Sequence, residues 1–403
     1  MNLSYCRGLL ASAALLTSAQ AASPEAAARV AAWLAAWDGQ GLHRTATTGD
    51  EAGAAWLARE ATAIAGPVTS ESFQLERIDP VAAYVEIDGE RINGEALFDG
   101  PSTTAEGLRG LATDATGAGP IAVRSLPPSA VYGEEYRRMR RESPHRALVF
   151  LTLGGAPGLA PLNAELFRAP FGPPTVQISS VERDRVLGAL ARKAEFRVVV
   201  HTTRTPAQAR NIVLTIAGRD RTRPPLVVMT PRSSWWQSTS ERGGGLVCWL
   251  ETLRALQANP PGCDVVFTAN SGHELGHLGL DDFVARRPGW ETRATWIHYG
   301  ANIGAVGSKL QVQSAHDDLR TLAVTHLTTA GQKPDLLSDR GVVPIGETKD
   351  IHKAGGRYLT LVGPPNTSPL FHLPQDRWPQ AVDVAAVARV AEGMANAVVA
   401  LTR

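Results

Sequence analysis

The chain is 403 residues long, 44% hydrophobic and 20% charged, with a formal net charge of +1. That length exceeds one typical domain and can bury a substantial core. The balanced charge supplies no basic patch of the kind that grips nucleic acid or an anionic membrane surface.

The N terminus reads as an export leader over residues 1–22. Arg7 is its positive region, GLLASAALLTSA its apolar core, and Ala19-Gln20-Ala21 a small-residue cleavage site. The apolar run falls well short of the roughly 20 residues that span a bilayer. The mature chain is therefore expected in the periplasm or outside the cell, without a membrane span; a helix of the mature protein is the alternative reading. Cys6 precedes the apolar core and is misplaced for a lipid anchor. Cys248 and Cys263 remain; they could bridge a helix to the next strand in an oxidising compartment, or stay as buried thiols. Neither sits in a CxxC or metal-spaced pattern.

PEAAARVAAWLAAW (24–37) carries apolar residues at helical spacing, with Ser23 as N-cap and Pro24 in the first turn. HRTATTGDEAGAAWLAREATAIAG (43–66) reads as a turn and a second helix ending at Gly66. ESFQLERI (71–78) alternates as a strand does. Between about 81 and 205 short β-like runs such as AYVEID and RALVFLTL are separated by Gly/Pro-rich stretches, and 173–202 reads strand, helix, strand. This stretch is expected to be a smaller inserted domain of mixed α/β or β-rich type. It holds no cluster of His, Cys or paired carboxylates, which suits scaffold or access control. Residues 23–80 and 206–403 are expected to form the main domain.

From Asn211 onward near-continuous apolar runs (NIVLTIAG, LVVMT, DVVFTA, WIHYG, KLQVQS, RYLTLVG) alternate with amphipathic helices, ending in a long helix from about 381. That pattern predicts an α/β domain with a mainly parallel sheet and helices on both faces. Leu246, Trp249, Leu250, Leu253 and Leu256 make one core stripe in a helix predicted over 245–257. Ligands of such sheets bind beyond the carboxyl ends of the strands, so the loops after LVVMT, DVVFTA and WIHYG are where chemistry is sought.

One of those loops holds His273-Glu274-Leu275-Gly276-His277, a literal HExxH. On a helix its two histidines share one face and can grip zinc, with Glu274 as general base. Gly272, Gly276 and Gly279 weaken a helix here, and Phe283 stands where a longer zinc-helix pattern places a third His. Ser240 invites a nucleophile reading, but the GxSxG spacing is absent. Gly243–Gly245 suit a tight strand-to-helix turn and lack the Lys and spacing of a phosphate loop.

The order of three segments, LVVMTPRSSWWQSTSERGGGLVCWLETL (226–253), DVVFTANSGHELGHLGLDDFV (264–284) and SPLFHLPQDRWPQAVD (368–383), resembles the secreted zinc aminopeptidase family that includes bacterial leucyl aminopeptidases and glutamate carboxypeptidase-like proteins. HRTATTGDEAGAAWLARE resembles that family's helical entry, and 81–205 its protease-associated insert. The resemblance implies a two-metal peptidase in which strands end in HxD, EE and Asp, a helix opens on a bridging Asp, and a late His precedes Pro and Asp. Pro231-Arg232-Ser233 stands at HxD and Ala301 at the later Asp, so one ion loses its ligands. The resemblance leaves Glu241, Glu274 and His372 as a set for one zinc ion, with His273 at the position of the general base and His277 as a lesser ligand candidate. Arg232 and His298 are expected to line the substrate pocket. The expected activity is hydrolysis of a peptide or small amide bond. Two alternatives stay open: an aminopeptidase-fold binding protein that has lost its metal and catalysis, and an HExxH zinc protease built on His273, Glu274 and His277.

Overall fold

The computed structural model describes residues 23–114 and 117–403, so the leader reading lies outside the described residues. The strands are β1 (Thr69–Ile87), β2 (Glu90–Ala96), β3 (Leu108–Thr113), β4 (Ile121–Leu126), β5 (Ala147–Thr152), β6 (Thr175–Ser179), β7 (Glu195–Ile216), β8 (Leu226–Pro231), β9 (Val265–Asn270), β10 (Thr295–Tyr299), β11 (Gln311–Gln313), β12 (Leu336–Leu337) and β13 (Arg357–Val362).

The second half of the chain forms a sheet in the order β7-β9-β8-β10-β13-β11-β12. Strands β9, β8, β10 and β13 run parallel, flanked by antiparallel β7 and β11. Side chains alternate across it: Leu226 and Val228 of β8 enter one core, Val227 and Met229 the other. Helices Pro24–Asp38, Thr48–Ala65, Thr239–Ala258, Asp317–Thr329 and Val384–Leu401 contribute to the first core. Leu280, Phe283 and Ile351, from helices Leu278–Ala285 and Thr348–Lys353, fill the second. This is the α/β architecture expected from the sequence, with helices on both faces. The last helix is long and apolar enough to cross a membrane, yet Val387, Val390, Met394 and Val398 are spent in the core.

The runs ESFQLERI and AYVEID, which read as separate strands, are one strand, β1; EFRVVVHT and NIVLTIAG are likewise joined in β7. The two pair antiparallel along their length, with a register shift between Pro80 and Ala82. Pro80 has no N–H to give a ladder, and the shift absorbs it. Beyond that point β1-β2-β6-β5-β4-β3-β7 closes on itself through the β1–β7 pairing, leaving no free edge. The ring's core includes Val85, Phe98, Val149 and Phe196, and it continues into Trp235, Leu275 and Leu278 from the main sheet's loops.

Helix Thr239–Ala258 starts six residues before the predicted 245, so Gly243–Gly245 lie inside it rather than in a turn. Close packing is the reason: a Cβ on Gly244 would stand 1.9 Å from the Ile303 carbonyl oxygen. Cys248 and Cys263 are free, buried thiols, which resolves that alternative.

Two outcomes follow from this packing. Gly244→Ala forces backbone apart in a close-packed region and is expected to cost about 1–3 kcal/mol, read as a lowered urea midpoint; an unchanged midpoint contradicts the packing account. The second concerns His43, which stacks on Trp37 with centroids 3.6 Å apart and donates Nδ1–H to the Gln237 carbonyl at 3.0 Å. Burial pushes this imidazole down to about 3, whereas an unfolded histidine titrates near 6.5. Between those values the unfolded chain binds more protons, so stability falls as pH drops from about 6.5 toward 3. His43→Phe is expected to flatten that fall in urea titrations run across the window; an identical slope contradicts it.

Candidate active site

Pro231, Asn270 and Tyr299 end the adjacent parallel strands β8, β9 and β10, and helix Thr239–Ala258 presents its N terminus to the same edge. Asp376 fixes that terminus, its carboxylate accepting from the Ser240 amide at 2.7 Å and the Glu241 amide at 3.0 Å.

Glu241, in the first helical turn, is fully buried and faces two cations or would-be cations. The Arg242 guanidinium lies 2.8 Å from its Oε1, and His372 Nε2 lies 3.5 Å from the same atom. Burial opposes the charge on Glu241, but Arg242, His372 and His273 outweigh it and hold the carboxyl far below its usual range. His372 sits in the left-handed region at φ 60. Its Nδ1 is 2.5 Å from the Pro161 carbonyl, which can only accept, so Nδ1 donates its N–H there and Nε2 is the ring nitrogen turned toward Glu241. Phe371 stacks on the ring at 3.9 Å between centroids.

Glu274 does not join this pair. Its Oε1 accepts from the Thr45 amide and hydroxyl, both at 2.7 Å, and its Oε2 from the Ser233 hydroxyl at 2.6 Å. The expected Glu241–Glu274–His372 set is thus split, because Ser233 and Thr45 draw the Glu274 carboxylate toward the N-terminal loop. Arg232 is likewise no pocket residue. It is buried against Asp50, Nη1 to Oδ1 at 2.6 Å, and donates Nη2 to the Arg210 carbonyl at 2.7 Å, binding the second helix to β7.

The HELGH string is not a helix. His273–Leu275 forms one 3-10 turn, Gly276 and His277 are left-handed, and the helix begins only at Leu278. The tight turn nonetheless stacks the two imidazoles, centroids 5.2 Å apart. His273 Nδ1 lies 2.8 Å from Glu347 Oε1, and His298 Nε2 lies 3.1 Å from Glu347 Oε2. His277 Nδ1 lies 2.7 Å from Asp350 Oδ2. Burial pushes His273 down to about 4, with Arg242 adding to it against the pull of Glu347. Burial also opposes charge on His277, but Glu347, Asp350 and Glu165 win and raise it. Glu347 is held well below its usual range by His273 and His277 despite burial. At neutral pH the cluster therefore holds an ionised Glu347 and an uncharged His273. His298, expected in the pocket wall, is buried inside this cluster.

Residues 161–165, between β5 and β6, cover both groups. Besides Pro161 on His372, Asn163 accepts from Trp235 Nε1 at 3.0 Å, the Ala164 amide donates to the Glu274 carbonyl at 2.8 Å, and Glu165 pairs with Lys349. A cavity of about 350 Å³ opens beside it, walled by Arg44, Glu95, Pro161, Trp235 and Trp236.

The two-ion centre implied by the resemblance does not fit these residues. Pro231 and Ala301 offer no side-chain donor, Glu274 is engaged elsewhere, and a guanidinium lies against Glu241. Residues missed in the sequence are Glu347 and Asp350. GETKDIHK carries both without any ligand spacing of its own, so only the folded chain brings them to the histidines.

No protein-family model and no curated protein matches this chain. Solved structures do. A zinc aminopeptidase from Bacillus subtilis superposes with a TM-score of 0.74 at 16% identity, covering 94% of this chain and 95% of that one. A peptidase precursor from Shewanella amazonensis gives 0.70 at 14% identity over 92% and 93%. An aminopeptidase from an Aneurinibacillus strain gives 0.67 at 15% identity over 94% and 93%. Likeness at this identity speaks to the architecture, and it extends over nearly the whole chain. The protein has the fold of the zinc aminopeptidases.

Proposed function

We propose that this protein is an exported hydrolase that cleaves a peptide or small amide bond at the buried imidazole–carboxylate cluster, with one divalent ion as cofactor. The observation that carries the proposal is the convergence of His273, His298, His372, Glu241 and Glu347 at the carboxyl ends of parallel strands, where this class of sheet binds its ligands. Such an ion, zinc for a His/carboxylate donor set, polarises a carbonyl and acidifies a bound water. Around it the chain sets an ionised Glu347 and the buried Glu241–His372 pair, whose imidazole is the group placed to carry a proton. The cavity beside Trp235 and Trp236, about 350 Å³, suits one substrate side chain rather than a folded protein. The leader-like pattern of Arg7 followed by a short apolar run supports action outside the cytoplasm.

A second reading, a peptide-binding protein without catalysis, is favoured by Arg242, whose guanidinium puts a fixed positive charge on Glu241. Turnover separates the two. Purified protein, with and without zinc, is assayed on aminoacyl anilides and N-acyl amino acid amides. Hydrolysis abolished by chelator and restored by zinc is expected, with a loss of about 100-fold or more in His273→Ala. Saturable binding of the same compounds without turnover sinks the hydrolase and leaves the binding protein.

A further inference from the structure

The remaining question is where the single ion sits, and the inference rests on the hydrolase reading above. We propose that a divalent transition-metal ion is held by His273, His277 and Glu347, on the β10 side of the Glu241–His372 pair. One donor atom from each of these three residues lies within 4.8 Å of the others, and all three residues are buried. Two imidazoles and one carboxylate with a fourth position open is a donor set that suits catalytic zinc.

Hydrogen bonding alone explains part of the arrangement, since His273 Nδ1 and Glu347 Oε1 satisfy each other at 2.8 Å. It does not explain the rest. Glu347 Oε2 and His298 Nε2 stand 3.1 Å apart, both buried, as an ion-pair contact whose geometry makes no well-formed hydrogen bond. A buried carboxylate oxygen without a well-formed hydrogen bond costs about 1–3 kcal/mol, and a cation next to it removes that cost. The neighbours are arranged as supports. His277 gives its Nδ1 to Asp350, the second-shell pattern that aims the other ring nitrogen at a metal.

The backbone is bent to bring the donors in. His277 is held at φ 66 and Gly346 at φ 77, and a Cβ on Gly346 would stand 2.8 Å from His298 Cε1. Only glycine lets Glu347 approach His298 this closely. The Glu241–His372 pair, beside its guanidinium, is then left free of the ion.

The test is zinc content of the full-length protein after reconstitution with zinc and desalting, with cobalt(II) absorption as a second readout of ligand geometry. His277→Asn keeps a residue that tolerates the left-handed backbone, and Glu347→Gln keeps the side-chain shape; circular dichroism checks that each is folded. About one zinc per wild-type chain is expected, with affinity falling at least about tenfold in both variants and retained in Glu274→Gln and His372→Asn. Zinc that survives His277→Asn and Glu347→Gln overturns the site, as does a folded wild-type chain that takes up none. The hydrolase reading fails separately: zinc bound through His277 and Glu347 without turnover removes the activity and keeps the site.

Discussion

Buried charge is the constraint on which the arrangement at the sheet edge depends. Asp50, Glu241, Glu274 and Glu347 are each 2% exposed or less, and a buried carboxylate without a partner is several kcal/mol out of balance. Each has therefore recruited neighbours: Arg232 for Asp50, Arg242 for Glu241, Thr45 and Ser233 for Glu274, and imidazoles for Glu347. These pairings decide which side chains are available for chemistry. Arg232 and Glu274 are consumed by the scaffold. Glu241, His372, His298 and Glu347 instead pair among themselves and with His273 at the strand ends.

The fold was legible because its signal is periodic and long. The six-residue strands β8 and β9 are buried throughout, and their unbroken apolar runs could be placed without any tertiary knowledge. The helix at 239 was misjudged because three consecutive glycines look like a turn; only the approach of Gly244 to Ile303 shows why they are helical. Pro80 hid the continuity of β1 for a similar reason: a residue that locally breaks a strand is accommodated by a register shift.

The site was legible only in part. Strand ends located it, and the resemblance picked out Glu241, His273 and His372, which the chain does bring into one buried network. HELGH carried a misleading regularity. Its histidines meet through a 3-10 turn and two left-handed residues, not through the i, i+4 face of a helix. Nothing in GETKDIHK distinguishes Glu347 from a solvated acid, since its role comes from Gly346 and from strand β10 lying opposite.

Local strain and global closure are coupled in this molecule. Ser238, His277, Asn302 and His372 all adopt positive φ near the strand ends, a conformation costing of order 1–3 kcal/mol for each non-glycine residue. Such residues persist only where surrounding packing over-determines them. Here that packing comes from two directions. The β1–β7 pair runs from the ring into the main sheet through its shift at Pro80, and the ring's core extends into Trp235, Leu275 and Leu278. The apolar continuity fixes the loops while polar contacts from 161–165 seal them. The ring therefore acts on the strand-end histidines as well as covering them. Its core holds the distorted turn that sets His273 and His277 face to face.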